Sequence, residues 1–320
     1  MKQLFLGCIL LCIPFSSFGF NKSNLAGELS INTGLSLSNS NLNSNGKNQQ
    51  EKLSQQSSYD DSVFIVPFGR LNYTLDDSQE QSIYIGTSRY DLTIGTLAFE
   101  IGYHRRLHMG TKLDIAYLPS IISGEVWEDP YQIGHRKETD MERDAYRLKL
   151  SHILGSNFSV GLGRATSKVD KEAIHYNELH RNSDAYFVKG QYLTMLKPNS
   201  GLVSSLAYTN NDAIGNAASF DNYKLEATYF SQFNNHNLAI TSSVSYQTYG
   251  AENPIFNKKQ EDYIYKLTIA YEYSNIPNWE NWSITSINII ENNQSNIGFY
   301  KEKNLLSLIG INSRLPFHPK

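Results

Sequence analysis

The chain has 320 residues, a formal net charge of −3 and only 18% charged residues. So mild a charge excludes the polybasic surface that binds nucleic acid, and the two cysteines, Cys8 and Cys12, are too few for a disulfide scaffold. Mean hydropathy is −0.42, and no apolar run after residue 19 exceeds six residues. These values exclude membrane-spanning helices, each of which needs about 20 apolar residues.

Residues 1–19 have the pattern of a secretory signal peptide. Lys2 supplies the positive charge, residues 4–15 form the apolar stretch, and residues 17–19 (Ser-Phe-Gly) form a small-x-small cleavage site. Cleavage after Gly19 would remove both cysteines. We therefore expect one domain, residues 20–320, that is exported to an oxidising compartment and has no disulfide to stabilise it.

Apolar and polar residues alternate from residue 25 to the C-terminus. A period of two indicates a strand with one apolar and one polar face. About fourteen such segments follow one another, and most reach the roughly 9–11 residues that a tilted strand needs to cross a bilayer. The segments are 25–37, 62–75, 82–90, 95–107, 111–121, 144–154, 158–168, 184–196, 202–210, 221–232, 238–249, 262–273, 281–292 and 303–317.

The connections between these segments alternate in length. Short turns are expected at 76–81, 108–110, 155–157, 197–201, 233–237 and 274–280. Long polar loops are expected at 38–61, 123–143, 169–183, 211–220, 250–261 and 293–302, with a short link at 91–94 as the exception. Bacterial barrels keep short turns in the periplasm and long loops outside, and an even strand number leaves both termini in the periplasm.

An open sheet edge in lipid would leave backbone groups unpaired, so a membrane sheet must close on itself. The fold predicted is all-β: a transmembrane, antiparallel, up-and-down β-barrel of about 14 strands, with 12 strands as the alternative. We place it in the outer membrane of a Gram-negative bacterium.

Residues 38–58 form a low-complexity tract of Asn, Ser, Gln and Lys with almost no apolar side chain to bury. Such a composition predicts a disordered or loosely ordered segment. Two interpretations remain open for it. The tract is either a solvated external loop or a segment that folds into the lumen as a constriction.

The two faces of the predicted strands carry different residue types. Aromatic residues near the segment ends of the apolar face predict interfacial girdles; they are Tyr73, Tyr103, Tyr117, Tyr146, Tyr246, Tyr263, Tyr273 and Trp282. The opposite face carries nearly all the charge within strands. Its bases are Arg70, Arg106, Lys112, Arg147, Lys149, Lys189, Lys224, Lys266 and Arg314, and its acids are Glu100, Asp114, Glu226 and Glu272.

These charged residues are our candidate lumen lining. Nine bases against four acids would favour anions modestly in a narrow, water-filled pore. The competing interpretation is that neighbours such as Lys112 and Asp114, or Lys224 and Glu226, simply neutralise each other. Two bases fall on the predicted lipid face. Arg105 is close enough to a turn to reach the headgroups, whereas the deeper Arg164 predicts a bulge or a register error in its strand.

A search for catalytic and metal motifs finds little. Residues 175–180, which contain His175, Glu178 and His180, match no zinc-binding motif and lie in a polar loop. The remaining strand histidines, His104 and His152, have no suitably spaced Ser or Asp. We therefore expect no enzyme activity, no metal and no cofactor.

Several stretches carry a resemblance to known proteins. Residues 313–317 (SRLPF) resemble the C-terminal aromatic signal that Gram-negative assembly machinery recognises, although three residues follow the Phe. Residues 27–34 (GELSINTG), 84–103 (YIGTSRYDLTIGTLAFEIGY), 117–131 (YLPSIISGEVWEDPY) and 144–150 (DAYRLKL) resemble a domain-of-unknown-function family of Gram-negative outer-membrane proteins. The resemblance implies the fold and the location, and no activity or functional residues.

The function expected is a porin-like passive channel for small polar solutes, with a mild preference for anions. One alternative is a plugged structural or surface-interaction barrel that binds a partner through its loops, especially 123–143 with Trp127. A barrel-embedded hydrolase is a further alternative. The partners expected are outer-membrane lipid and lipopolysaccharide, the barrel-assembly machinery and the solutes.

Overall fold

A computed structural model describes residues 24–46, 48–54, 57–87, 99–119 and 124–316. Fourteen long strands run up and down. They are β1 Leu25–Ser38, β2 Asp60–Thr74, β3 Gln81–Thr87, β4 Phe99–Arg106, β5 Lys112–Leu118, β6 Glu138–Ser151, β7 Phe158–Val169, β8 Ser183–Lys197, β9 Ser200–Ala213, β10 Phe220–Phe233, β11 His236–Asn253, β12 Lys258–Ile276, β13 Trp279–Ser295 and β14 Glu302–Pro316.

The sheet closes into a barrel. Each strand pairs antiparallel with the next along the chain, and β1 pairs with β14 from Ala26 opposite Pro316 to Ser38 opposite Asn304. Each of the fourteen strands has two neighbours, although β2 pairs with β3 only over residues 70–74 within the described ranges. A closed sheet of this kind can stand in lipid, because closure pairs the backbone groups that an open edge would leave without partners.

The predicted all-β barrel of 14 strands is confirmed. Turns between strands at one end are short, and this end, which we call the turn end, also holds both chain ends of the barrel. The longer connections lie at the other end, the loop end. The predicted signal peptide 1–19, the strand ends 88–90, 95–98 and 121, the link 91–94 and the C-terminal Phe317 lie outside the described residues.

At the loop end several strands are longer than predicted. β6 begins at Glu138 instead of residue 144, and β11 and β12 continue to a short turn at 254–257 where a long loop 250–261 was expected. These extensions are polar on both faces, so they lack the alternation that marks a strand in lipid. Backbone pairing maintains them together with side-chain hydrogen bonds, such as Asn253 Nδ2 to the Tyr300 hydroxyl at 2.8 Å and Lys258 Nζ to Asn296 O at 3.0 Å.

Three short strands lie within the loops. Gly124–Trp127 pairs with β6, and Gln49–Gln50 pairs with Gly134–His135 to join two loops that are far apart in sequence. Among the described residues no helix has the length and hydropathy to cross a membrane.

The outward face is apolar over the middle of the strands. Side chains such as Ile31, Ile65, Leu206 and Ile309 are at least 62% exposed. An apolar surface that surrounds the molecule is stabilised by lipid and not by water. The alternating register places all eight predicted girdle aromatics on this face. Two pairs of them are in contact: Tyr117 stacks on Tyr146 at a ring-centroid distance of 5.0 Å, and Tyr246 meets Tyr263 at a tilt, at 5.1 Å.

The bulge predicted at Arg164 is wrong. β7 keeps a continuous register with both neighbours, Arg164 opposite Tyr146 on one side and opposite Tyr186 on the other. Arg164 remains on the outward face because Asp184, also on that face, accepts its Nη2–H at 2.9 Å. Local charge pairing therefore replaces the irregularity that we expected. Arg105 also faces outward, next to the last residue of β4.

The two faces should respond differently to a charge. We expect Ile31→Lys, in the middle of β1 and outward, to lower the free energy of unfolding in lipid vesicles by about 2–4 kcal/mol, because the ammonium must enter hydrocarbon. The neighbouring Ser30→Lys points into the lumen and should cost much less. Urea unfolding of both variants measures this, and equal losses would contradict the assignment of faces.

Candidate functional site

The inward face carries the charged side chains, and the first cluster of them lies on β2–β6. Glu100 is almost fully buried and joins two arginines: Arg70 Nη1 donates to its Oε1 at 2.6 Å, and Arg147 Nη2 donates to Oε2. These three residues come from strands that are not adjacent. Their side chains converge only because the inner face of a barrel is concave.

The same cluster extends toward the turn end. Arg147 Nη2 lies 3.5 Å from Asp114 Oδ1, and the Tyr84 hydroxyl donates to Asp114 Oδ2 at 2.9 Å. The Arg70 guanidinium carbon lies 3.8 Å from the Tyr84 ring centroid. Lys149 is directly opposite Asp114 in the strand register. A buried network of this kind holds its side chains in place, since breaking it would leave an unpaired charge in a site of low dielectric.

A second cluster lies on β8–β13. Glu226 accepts hydrogen bonds or ion pairs from two lysines, Lys189 Nζ at 2.7 Å and Lys224 Nζ at 2.9 Å. Lys266 Nζ lies 3.9 Å from Glu291 Oε2. At the turn end Arg314 Nη2 is 3.4 Å from Glu272 Oε1.

All the candidate lining residues thus lie on one face of the sheet, and the structure brings most of them together as ion pairs. Arg106 and Lys112 lie opposite each other at the turn end of β4 and β5. The charge count made from sequence is wrong, however. The register adds one base, Arg143, and five acids to the inward face: Glu28, Asp60, Asp262, Glu291 and Glu302.

Acids therefore nearly match bases around the lumen. Glu28, Asp262 and Glu291 fall inside the predicted segments and in phase with the polar face, so counting every second residue would have found them. Asp60 and Glu302 are the first residues of β2 and β14, just outside the predicted segments. Their inward direction became visible only with the observed bounds of these strands.

The loops fold together over the loop end, and we call this assembly the cap. The described residues of the tract 38–58, which is predicted to be disordered or loosely ordered, are part of it. Its Asn41 Nδ2 donates to Phe299 O at 2.9 Å, and the Arg136 guanidinium donates to Asn41 O at 2.6 Å. Ser44 Oγ donates to Glu125 O at 2.5 Å. The tract is ordered because side-chain amides and hydroxyls bond the backbones of other loops, a contribution that hydrophobicity does not measure.

An aromatic cluster forms the inner layer of the cap. Tyr131, Phe256, Phe299 and Tyr300 come from three loops, with ring centroids 5.3 Å apart for Tyr131 and Phe299 and 5.5 Å apart for Phe256 and Phe299. The hydroxyls of Tyr131 and Tyr300 are 2.6 Å apart. Burial raises the pKa of Tyr131 to about 12, and it raises the pKa of Tyr300 as well.

Trp127 also lies within the cap, where 1% of it is exposed. The Arg136 guanidinium carbon stands 4.1 Å from its ring centroid. The expectation that Trp127 offers a surface for a partner is therefore wrong: the ring is covered by the protein's own loops.

Among the described residues, two cavities inside the barrel share the wall β13–β14–β1–β2, and the lower one extends also to β8–β12. The upper cavity, about 540 Å³, is next to the cap and is lined by Ser36, Asp60, Glu291 and Glu302 among others. The lower cavity, about 620 Å³, opens toward the turn end. Its lining includes apolar side chains such as Phe68, Phe230 and Ile287, together with Glu28 and Glu272.

The histidines do not form a site. His180 Nε2 lies 3.1 Å from Ile174 O, and His175 packs against Tyr176 within the same loop. His104 is on β4 and His152 in a turn, on other elements of the fold. Within the ranges that the structure describes, no group of three or more His, Cys, Asp or Glu side chains could hold a metal ion.

A closed barrel with an apolar outer belt and a charged inner wall defines a membrane-spanning outer-membrane β-barrel protein. The chain belongs to the family described as "Protein of unknown function (DUF2860)", whose model matches residues 25–314, from the first strand of the barrel into the last. No curated protein matches the chain significantly.

Among solved structures, OpdQ of Pseudomonas aeruginosa is 9% identical, with 91% of this chain and 98% of that chain covered at a TM-score of 0.42. The outer-membrane channel DcaP of Acinetobacter baumannii is 7% identical, with 92% and 99% covered at a TM-score of 0.43. The CymD monoaromatic hydrocarbon channel is 8% identical, with 92% and 90% covered at a TM-score of 0.47. Similarity at this level adds nothing to what the strand pairing shows.

The cap should loosen at high pH. Tyr131 has a folded-state pKa of about 12 against an ordinary value of 10.0, so its contribution to cap stability is complete below pH 10 and is lost as the pH rises toward 12. We expect a protease that is active at alkaline pH and does not require a charged side chain, such as subtilisin, to cleave the cap increasingly over this range. Tyr131→Phe cannot ionise there and should show a weaker pH dependence; an unchanged dependence would contradict the assignment.

Proposed function

We propose that the protein is a passive channel for small polar solutes whose loop end is covered by the cap. The observation that carries this proposal is the pair of cavities between the cap and the turn end, which share the wall β13–β14–β1–β2, the lower one extending also to β8–β12. A barrel that serves only as a membrane anchor has no need for such space. The polar inner wall would solvate a solute during its passage.

A modest anion preference belongs to the same proposal. The inward charges of the whole wall nearly cancel, so a preference must be local. Lys189 and Lys224 both contact Glu226, and Lys266 lies 3.9 Å from Glu291, so three lysines face two acids on that side of the lumen. The upper cavity is lined by the further acids Asp60 and Glu302. We infer that the lysine cluster sets the selectivity where the lumen is narrow.

We also propose that the loop end is extracellular and that both termini are periplasmic, because bacterial barrels sort their short turns and long loops in this way. The outer belt would contact membrane lipid and lipopolysaccharide. The barrel-assembly machinery would meet the chain during insertion. We propose no catalytic role for it.

A second candidate function is a closed barrel without transport. The cap favours it, since six connections contribute to a single packed assembly that shares buried hydrogen bonds. Several inward side chains at mid-height are also buried, among them Thr268, Glu226 and Leu308. In this case the resting lumen would not conduct.

Planar-bilayer recording tests the first candidate. We expect discrete channel steps. In a salt gradient, the sign of the reversal potential should indicate a weak preference for anions over cations. Lys266→Gln should lower the anion-to-cation permeability ratio roughly twofold, because it removes one charge from the lysine cluster. Lys168→Gln is the matched control, since Lys168 faces outward on β7. The absence of steps from folded, heat-modifiable protein would rule out the channel.

Deletion of residues 40–57, closed by a short Gly-Ser linker, separates the two candidates. If the cap blocks the lumen, the conductance should rise severalfold, because the deletion removes the contacts of Asn41 and Ser44 with the other loops. If the wild-type barrel is already open, the conductance should change little. Gel migration with and without heating shows whether the shortened barrel still closes.

A further inference from the structure

The strand register shows what separates the two cavities. On β1 the upper cavity reaches Ser36 and the lower cavity reaches Asn32, so Gly34 is the inward residue between them. On β14 the corresponding limits are Leu306 and Asn312, with Leu308 in between. Gly34 pairs directly with Leu308 on one side and with Phe64 of β2 on the other.

These three residues form one packed layer. A Cβ built on Gly34 would stand 2.6 Å from Cε2 of Phe64 and 2.7 Å from Cδ2 of Leu308. The Phe64 ring and the Leu308 side chain thus both lie over the glycine. Gly34 and Leu308 are buried, and Phe64, which faces inward by register, is half-buried.

The layer is apolar, and the apolar segment continues to Leu306 toward the cap and to Val66 and Phe68 toward the turn end. On β1 polar residues flank it, Ser36 toward the cap and Asn32 toward the turn end. A short apolar segment in a polar conduit is a barrier to water and to hydrated solutes, and it is sensitive to small changes in width.

We propose that Phe64, seated on Gly34 and against Leu308, is the constriction that selects solutes by size between the upper and the lower cavity. This inference rests on the proposed channel function. Glycine is required at position 34 because any side chain there would push the ring away from the wall and into the passage. Glycine at position 34 therefore lets the Phe64 ring stay close to the wall, and this keeps the passage wider.

An aromatic ring on a cross-strand glycine also has a purely structural role, because it covers backbone that the glycine leaves bare. The chain provides a control for that role. Phe230 covers Gly201 in the same way, with its Cζ 2.7 Å from a Cβ built on the glycine. Phe230 lines the lower cavity itself and does not lie between the two cavities.

The test compares variants of the full mature chain in liposomes by the rate of swelling in a monosaccharide and in a trisaccharide. Phe64→Ala should raise the rate for the trisaccharide severalfold and the rate for the monosaccharide less. Phe230→Ala should leave the ratio of the two rates unchanged. Gly34→Val should lower both rates, and the double variant Gly34→Val/Phe64→Ala should recover them, because no ring remains to be displaced.

Heat-modifiable migration shows which variants fold, and Phe64→Leu, which keeps Gly34 covered with a smaller side chain, is the substitute if Phe64→Ala does not. Equal effects of Phe64→Ala and Phe230→Ala in a permeable wild-type background would overturn the constriction and leave the channel intact. An impermeable wild type with a permeable Phe64→Ala would support the constriction as a block. Impermeability of every folded variant would overturn both proposals.

Discussion

Closure of the sheet is the constraint on which the rest of this molecule depends. In lipid, a strand edge has no water to bond its N–H and C=O groups, and each unpaired group costs several kcal/mol or so. The pairing of β1 with β14 removes the last edge and brings the two ends of a chain of about 300 residues together. No disulfide takes part, because the cysteines lie only in the N-terminal 12 residues.

Once the sheet is closed, the outward and the inward residues of each strand meet different surroundings. Outward residues meet lipid, so Ile31 and Leu206 are exposed as single side chains and need no packing partner. Inward residues meet each other across a concave surface, which is how Glu100 reaches both Arg70 and Arg147. The lumen is therefore a set of paired charges rather than a uniformly basic tube. This pairing leaves the lysines around Glu226 as the local excess of positive charge.

The cap is stabilised by polar contacts, whereas the apolar outward face of the strands is stabilised by lipid. Asn41, Ser44 and Gln50 are buried although their tract has almost no apolar residue. Each bonds with backbone or side-chain atoms of the cap, and aromatic residues from distant loops fill the space beneath. Such a segment is ordered because neighbouring loops supply complementary hydrogen-bonding partners. A prediction that considers one loop alone does not include those partners.

The fold could be predicted from the sequence because the bilayer imposes a local pattern. Every second residue of a strand meets lipid, so the period of two in residues 25–37 or 262–273 is enough to identify strand, face and number of crossings. The rule does not apply outside the bilayer, where residues of both faces can be polar. The prediction therefore missed the loop-end extensions of β11 and β12 and the inward acids Asp60 and Glu302 at the strand ends.

The candidate site could be predicted from the sequence only in part, for the same reason. The sequence placed Arg70, Glu100 and Lys224 on the polar face, because every second residue of a strand points to the same face. Their partners depend on the shear and curvature of the closed barrel, which no local pattern contains. Phe64 and Gly34 are thirty residues apart in the chain and opposite each other in the sheet. The sequence by itself determined the strands and which of their residues face lipid or lumen. Only the strand pairing of the closed barrel decided which side chains meet in the lumen.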